Sequence, residues 1–518
     1  MSNGKKLEMM SRIDSFWLSL DQPTNLMEIA AIFVMDGPVD FNKLLEMLEQ
    51  RFTIHDRFRQ TVVFPYTKIG PAYWYMDPDF DILHHVSRLA LPAPGDKETL
   101  QKLVSELTCE PLNKHRPLWM IRLIENYNGN NTVMYLKLHH CIADGLALVT
   151  LANTLFDFQP NKSFKGIRNI AEREKTRIDH LKDKAKRRRG FASFIDPVFK
   201  SSSVVLNASR ATVSFAAKIF EKTLEEILKA IAHPSYAKEM TKLIGQIAYE
   251  TVSTLLRLLI MPKDLQGAFH GKIGHRKTMI WSDPFKVEEV KEIGKVMKGT
   301  INDVLMSAVA GALREYLLEV DDDPDAGEVR VNIPVNVRKD LSKVVFGNMF
   351  SIVFITLPVN IADPYRRLRE IRKRMRRIKN SPEAFIGFQL LQSLGFLPTA
   401  VTRRAAALLA EKATGVLTNV PGPKVPIYLI DKEITSTMFW VPRTASASMG
   451  ISIYSYKGEV IVGFSTDTRL IPDPEKISSF FQKELNYLLK LVKDKTRYEA
   501  FLKRIESEDE ETKQEKIG

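Results

Sequence analysis

Apolar residues fall into short runs divided by polar turns, and their spacing within a run changes along the chain. Residues 28–35, Glu-Ile-Ala-Ala-Ile-Phe-Val-Met, are almost continuously apolar and predict a buried strand. Residues 41–52 carry apolar side chains at helical spacing and predict a helix. A strand over 60–64, a helix over 97–107 and a strand over 120–125 follow. Asn128-Gly129-Asn130-Asn131 predicts a hairpin turn. The run Val133-Met134-Tyr135-Leu136-Lys137-Leu138 predicts another buried strand, and residues 146–156 a helix. Farther on, strands are expected over 275–281, 329–335 and 351–357. Helices are expected over 287–297 and, after a cap within Thr300–Val304, through Ala312 to Leu318, with Asn302 or Asp303 as a candidate N-cap. Residues 449–454 and 459–465 make a hairpin around Tyr456-Lys457-Gly458, and a last helix starts at Asp473. Strands and helices alternate with no repeat at solenoid periods, so the expected class is mixed α/β.

The segment from 161 to 275 breaks this rhythm. Residues 161–200 hold 13 Lys/Arg against 5 Asp/Glu, including Lys184-Ala185-Lys186-Arg187-Arg188-Arg189. Amphipathic spacing returns over 204–231 and 236–259. A solvated linker followed by core-packed helices reads this way, and so does a segment lying on an anionic membrane.

The chain has 518 residues, enough for two large domains or two related halves. Its net charge is +13 and its pI about 9.4, which favours anionic partners. No common nucleic-acid signature is present, so nucleic acid ranks last. Cys109 and Cys141 supply neither a disulfide framework nor a zinc spacing, and a reducing cytoplasmic compartment is the default. Residues 1–10 lack the apolar core of a secretory signal. The most apolar long stretch, 243–261, contains Glu250 and Arg257, so no transmembrane helix is expected.

The strongest candidate chemistry is His139-His140-Cys141-Ile142-Ala143-Asp144-Gly145, in the turn between the 133–138 strand and the 146–156 helix. An imidazole there accepts a proton near neutral pH. Single histidines are more often structural than catalytic. The full string in a strand–turn–helix context is much rarer by chance. Asp144 could fix the turn through a charged partner elsewhere. Arg59 is one candidate partner, though a surface position is its commoner fate. The helix starting at Asp363-Pro364 is strongly basic, from Arg366 to Lys379. That is either a solvated face or a surface for phosphates or anionic headgroups. No metal-ligand cluster stands out.

The histidine string has company, in this order: Pro23-Thr24-Asn25, Pro117-Leu118-Trp119, Asn302-Asp303, Asn332-Ile333-Pro334-Val335-Asn336-Val337-Arg338, Gly347-Asn348 and Asn419-Val420-Pro421-Gly422-Pro423. With these motifs the chain resembles the bacterial wax ester synthase / acyl-CoA:diacylglycerol acyltransferases over most of residues 10–490, least over 160–262. The histidine string itself is shared with chloramphenicol acetyltransferase, carnitine acyltransferases and peptide-synthetase condensation domains.

The resemblance implies two chloramphenicol-acetyltransferase-like halves, each a mixed sheet flanked by helices, with an active-site tunnel between them. The halves would be 1–160 and 276–505, joined by a crossover at 161–275 and followed by a charged tail at 506–518. It implies acyl transfer from acyl-CoA to a long-chain alcohol or diacylglycerol. His140 would be the general base, supported by His139. Asp144 would brace the turn by an ion pair with Arg59 or, second, Arg338. Gly145 would allow close packing at the turn, and Asn302 would orient substrate or oxyanion. Acyl-CoA is then a substrate, and neither cofactor nor metal is needed. Peripheral association with the inner membrane or lipid inclusions is the expected placement. Two alternatives stay open: a condensation-type acyltransferase with a carrier-bound or polyketide acceptor, and a non-catalytic lipid-surface protein.

Overall fold

The computed structural model describes residues 7–64, 71–160, 267–337, 348–379, 387–388, 406–407, 411–443, 446–496, 498–501 and 503. Arg338, most of the basic crossover and the charged tail lie outside the described residues.

In the N-terminal half the elements run β1 (Glu8–Met9), α1 (Arg12–Leu20), β2 (Glu28–Met35), α2 (Phe41–Arg51), β3 (Gln60–Val63), β4 (Tyr73–Met76), β5 (Val86–Ala90), α3 (Lys97–Cys109), β6 (Trp119–Tyr127), β7 (Asn131–His139) and α4 (Gly145–Leu155). After residue 267 come β8 (Lys277–Trp281), β9 (Phe285–Lys286), α5 (Val287–Val296), α6 (Ile301–Glu319), β10 (Val329–Asn336), β11 (Phe350–Leu357), α7 (Pro364–Lys379), β12 (Gly415–Pro421), β13 (Tyr428–Leu429), β14 (Lys432–Trp440), β15 (Met449–Tyr456), β16 (Glu459–Asp467) and α8 (Pro474–Lys493).

These elements build two mixed sheets. One has the order β13-β14-β2-β7-β6-β5, the other β11-β10-β12-β15-β16-β8 with β9 beside β16. Parallel pairs occur in both: β5 with β6, and β12 with β10 and β15. The halves are not sealed from each other. β14 leaves the C-terminal half and pairs antiparallel with β2, placing Trp440 opposite Ala30.

Strands β2 and β7 lie at the centre of the first sheet and are covered on both faces, which explains their near-continuous apolar runs. The exception, Lys137, is fully buried. Its Nζ pairs with Glu28 on β2 at 3.0 Å and donates to Leu107 O at 2.9 Å. Removing either partner would strand a charge in the core. The β6–β7 turn uses Asn128 and Gly129, both at positive φ, a conformation these two residues adopt at low cost.

The second core surrounds α6, whose residues from Asp303 to Leu313 are all buried. Its N-cap is Thr300 rather than Asn302 or Asp303. Thr300 Oγ1 accepts from Asp303 N at 3.2 Å, and the Asp303 carboxylate accepts from Thr300 N at 2.8 Å. This reciprocal box forms because the chain enters the helix two to three residues earlier than the Asn-Asp pair suggests. The basic helix α7 also differs from a purely solvated face. Arg367 is buried, donates to Ser307 O at 3.1 Å and pairs with Glu484. Arg374 is held by Glu328 and Glu370. Two of its cations therefore fasten the helix to the core.

Candidate active site

The histidine turn is pinned on three sides by backbone bonds. His139 N donates to Leu118 O at 2.9 Å, and His140 N donates to Met27 O at 2.7 Å. Ile142 N closes the turn onto His139 O at 3.0 Å. The Pro117-Leu118-Trp119 string thus supplies an acceptor for the turn.

The two imidazoles have different surroundings. His139 is buried, and its Nδ1 accepts from Cys141 N at 3.1 Å. The proton of the neutral ring is therefore on Nε2, which faces Asp21 Oδ1 at 4.0 Å. Burial pushes its pKa down to about 4. His140 lines a cavity, while its Nδ1 is sealed from solvent, so the Nε2 edge is the one presented to the cavity. Burial also lowers its pKa below the usual 6.5, and the Asp144 charge offsets part of that. A neutral ring at pH 7 can accept a proton.

An aromatic clamp fixes the plane of the His140 ring. Trp17 stacks on it at 4.9 Å between centroids and 29° between planes. Phe350 packs on Trp17 at 5.4 Å and tilts toward His140 at 5.5 Å. Asn348 holds the backbone beneath. Its Nδ2 donates to His140 O at 2.8 Å and to Asp14 Oδ1 at 2.8 Å, and its own N donates to the same carboxylate at 3.1 Å. Asp14 is buried, which raises its pKa.

Asp144 borders the cavity and gives both carboxylate oxygens to the scaffold. Oδ1 caps α4 by accepting from Ala147 N at 3.0 Å, and Oδ2 accepts from Met349 N at 2.8 Å. Arg59 does not meet it. That side chain is exposed, with its guanidinium 6.0 Å from the Phe80 ring, because the turn before β3 aims it outward. Arg338 lies outside the described residues. Gly145 is not crowded: an added Cβ would touch only Val420 Cγ2 at 3.6 Å. Its bareness leaves space in the cavity wall instead. Asn302 is exposed and off the cavity wall. Its Oδ1 accepts from Asn419 Nδ2, and Asn419 itself lines the cavity, as do Asn332 and Asn336.

The cavity has a volume of about 420 Å³ and lies between the two sheets. Ile29, Phe33, Leu136, Leu148, Ile352 and Phe439 make it a mainly apolar chamber of ligand-binding size. A buried imidazole thus opens on an apolar slot.

The description "Wax ester synthase/diacylglycerol acyltransferase catalytic domain" matches residues 10–305, and "WS/DGAT C-terminal domain" matches residues 346–489. The chain belongs to the wax ester synthase/diacylglycerol acyltransferase family. It is an acyltransferase of that family.

A Mycobacterium tuberculosis family member named "Probable diacyglycerol O-acyltransferase tgs1" is 26% identical over 456 residues, covering 87% of this chain and 88% of that one. A second from the same organism, "Probable diacyglycerol O-acyltransferase tgs2", is 23% identical over 493 residues, 93% of this chain and 99% of that one. The fold is shared with the wax ester synthase/diacylglycerol acyltransferase from Marinobacter aquaeolei VT8. That match has a TM-score of 0.62 at 17% identity, over 93% of this chain and 99% of that one. The first condensation domain of the calcium-dependent antibiotic synthetase matches with a TM-score of 0.54 at 12% identity, over 95% and 97% of the two chains.

Asp14, Trp17 and Phe350 complete this candidate site without standing out in the sequence. Asp14 and Trp17 sit in a short amphipathic segment whose apolar face looks like ordinary packing. Only the quoted Gly347-Asn348 and Asn419 motifs point at the other half of the clamp.

Proposed function

We propose that the protein transfers a fatty acyl group from acyl-CoA to a long-chain alcohol or diacylglycerol, with His140 as general base. The observation that carries this reading is the neutral His140 ring, clamped by Trp17 and open on its Nε2 edge to the apolar chamber.

The acceptor hydroxyl is a poor nucleophile at neutral pH. His140 Nε2 takes its proton as the oxygen attacks the thioester carbonyl, forming the C–O bond. The tetrahedral oxyanion collapses, the C–S bond breaks and CoA leaves as the thiolate. The imidazolium returns its proton to that sulfur, which restores the neutral base. No covalent acyl-enzyme is needed. Cys141 is buried, and burial holds its thiol well above the ordinary value, so it is a poor nucleophile. Asn419 is the better-placed amide for orienting substrate, and Asn302 acts one step behind it by fixing that amide. Asp144, His139 and Asn348 hold the turn.

Peripheral contact with an anionic lipid surface fits the net charge of +13 and the lipid acceptors. Among the described residues no helix is long and apolar enough to cross a membrane. Deleting residues 184–189 should weaken binding to anionic vesicles, and unchanged binding would reduce that stretch to a linker.

The functional test is product formation from radiolabelled palmitoyl-CoA with hexadecanol, with dioleoylglycerol and with neither. The expected result is labelled ester that requires an acceptor. Labelled palmitate without acceptor would indicate thioester hydrolysis. Transfer only from a carrier-bound thioester would favour the condensation reading, and no turnover the non-catalytic one.

A further inference from the structure

Arg443 follows β14, where the chain leaves one sheet for the other, and it is only 5% exposed. A guanidinium brings five N–H donors and a permanent charge, and buried ones are held by carboxylates or carbonyls. This one is not. Its Nη1 is sealed from solvent with no hydrogen-bond partner, and it makes no salt bridge among the described residues. Burial pushes its pKa down to about 10.

The surrounding anions are already engaged. Asp467 pairs with Lys277 and accepts from Gly274 N at 2.9 Å and Arg469 N at 3.0 Å. Glu28 is held by Lys137 at 3.0 Å and by Leu112 N at 2.9 Å. Arg443 is thus left without a hydrogen-bonded carboxylate or carbonyl of its own among the described residues, and an acceptor from outside the protein would supply one.

Arg443 faces a constriction of about 30 Å³, walled by Thr24, Glu28, His275, Lys277 and Trp440. His275 Nδ1 lies 3.2 Å from Pro23 O, so the Pro23-Thr24-Asn25 turn closes one side. On the inner side the constriction shares Val441 and Pro442 with the catalytic chamber. On the outer side it shares Cys109 and Lys277 with a surface groove of about 890 Å³ between α3 and α8, whose rim is of mixed charge, with Lys97, Lys102 and Arg276 beside Glu98, Glu106 and Glu475. The constriction thus borders both the groove and the chamber. Its charged and polar lining, including Thr24, Glu28, His275, Lys277 and Arg443, suits a polar arm better than a hydrocarbon chain.

We propose that Arg443 binds an oxygen of the donor's phosphopantetheine arm, a phosphate or amide carbonyl, as the arm threads from the outer groove to the catalytic chamber. This rests on acyl-CoA being the donor. Arg443 is then a binding residue specific to the donor's carrier.

The test compares kcat/KM for palmitoyl-CoA with that for palmitoyl-N-acetylcysteamine, which lacks most of the arm, at a fixed alcohol concentration. The expected result is that wild type prefers the CoA thioester, and that Arg443→Met collapses the preference tenfold or more, mainly through KM for acyl-CoA. Arg443→Lys should restore part of it. Palmitoyl-pantetheine then identifies the oxygen: an effect like that on CoA assigns the amide, and none assigns the phosphate. A preference unchanged within twofold, whether both rates fall or neither does, would overturn the proposal. So would failure of both variants to fold, because the guanidinium would then be serving the free protein. If wild type transfers from neither thioester, the proposed function fails instead.

Discussion

At the scale of the residue, adjacent histidines receive opposite assignments from their surroundings. His139 spends Nδ1 on Cys141 N and is walled in, whereas His140 presents an edge to the chamber. The sign of the pH dependence follows from burial. Desolvation disfavours the imidazolium, so His140 loses its proton below the ordinary 6.5. The predicted kcat/KM profile rises along a limb below pH 6.5 and is flat from pH 7 to 8. A limb centred above 6.5 would contradict this environment. His139 makes a stability prediction with the same sign. Its folded pKa is about 4 against 6.5 unfolded, so the unfolded chain takes up the proton first as pH falls. About 3 kcal/mol of stability should be lost between pH 6.5 and 4 on its account. Denaturant melts of wild type and His139→Gln would show a shallower acid loss in the variant. The histidine turn was legible because a seven-residue string carries it. Its clamp was not: Asp14 and Asn348 meet across 334 positions of sequence, and no local pattern encodes that contact. Arg59 failed as a partner for the same reason, since charge alone does not say which way a side chain points.

At the scale of the element, Asp144 joins three pieces. It ends β7's turn, caps α4 through Ala147 N and takes Met349 N at the start of β11. Asp144→Ala should cost about 2–4 kcal/mol, from a lost cap and stranded N–H groups. Asp144→Asn keeps a capping oxygen and should retain most of that stability while lowering kcat more than it raises KM. Thermal melts and steady-state kinetics on the two variants separate the effects. Equal stability loss in both would assign the residue's worth to its charge alone. Helices and strands with one clear period, such as α2 and β2, were readable to within a residue or two at each end. β14 was not, because Lys432-Glu433-Ile434-Thr435-Ser436-Thr437 scatters polar groups over both faces of an edge-side strand. In α7 the count of arginines was plain, but only packing shows that Arg367 and Arg374 are structural.

At the scale of the molecule, the chamber exists because β2 and β7 of one half face β10, β11 and β12 of the other across the histidine turn. Ile29, Ala31 and Phe33 alternate onto the chamber side of β2. Ala31 is the small member of that row, so Ala31→Phe should shorten the usable slot. Its kcat/KM with hexadecanol should fall at least tenfold relative to decanol, and an unchanged ratio would place the chains elsewhere. Two mixed-sheet halves could be anticipated from the order of motifs. The exchange of β14 into the first sheet, which ties the halves together, is a pairing that sequence alone did not reveal.

The central claim is that His140 supplies the base in this chamber. It is tested most directly by acceptor-dependent release of CoA from palmitoyl-CoA in wild type and His140→Ala, with thermal melts confirming that both are folded. The account predicts a fall of about 10²–10⁴-fold in the variant. A folded variant that retains activity within tenfold would contradict it.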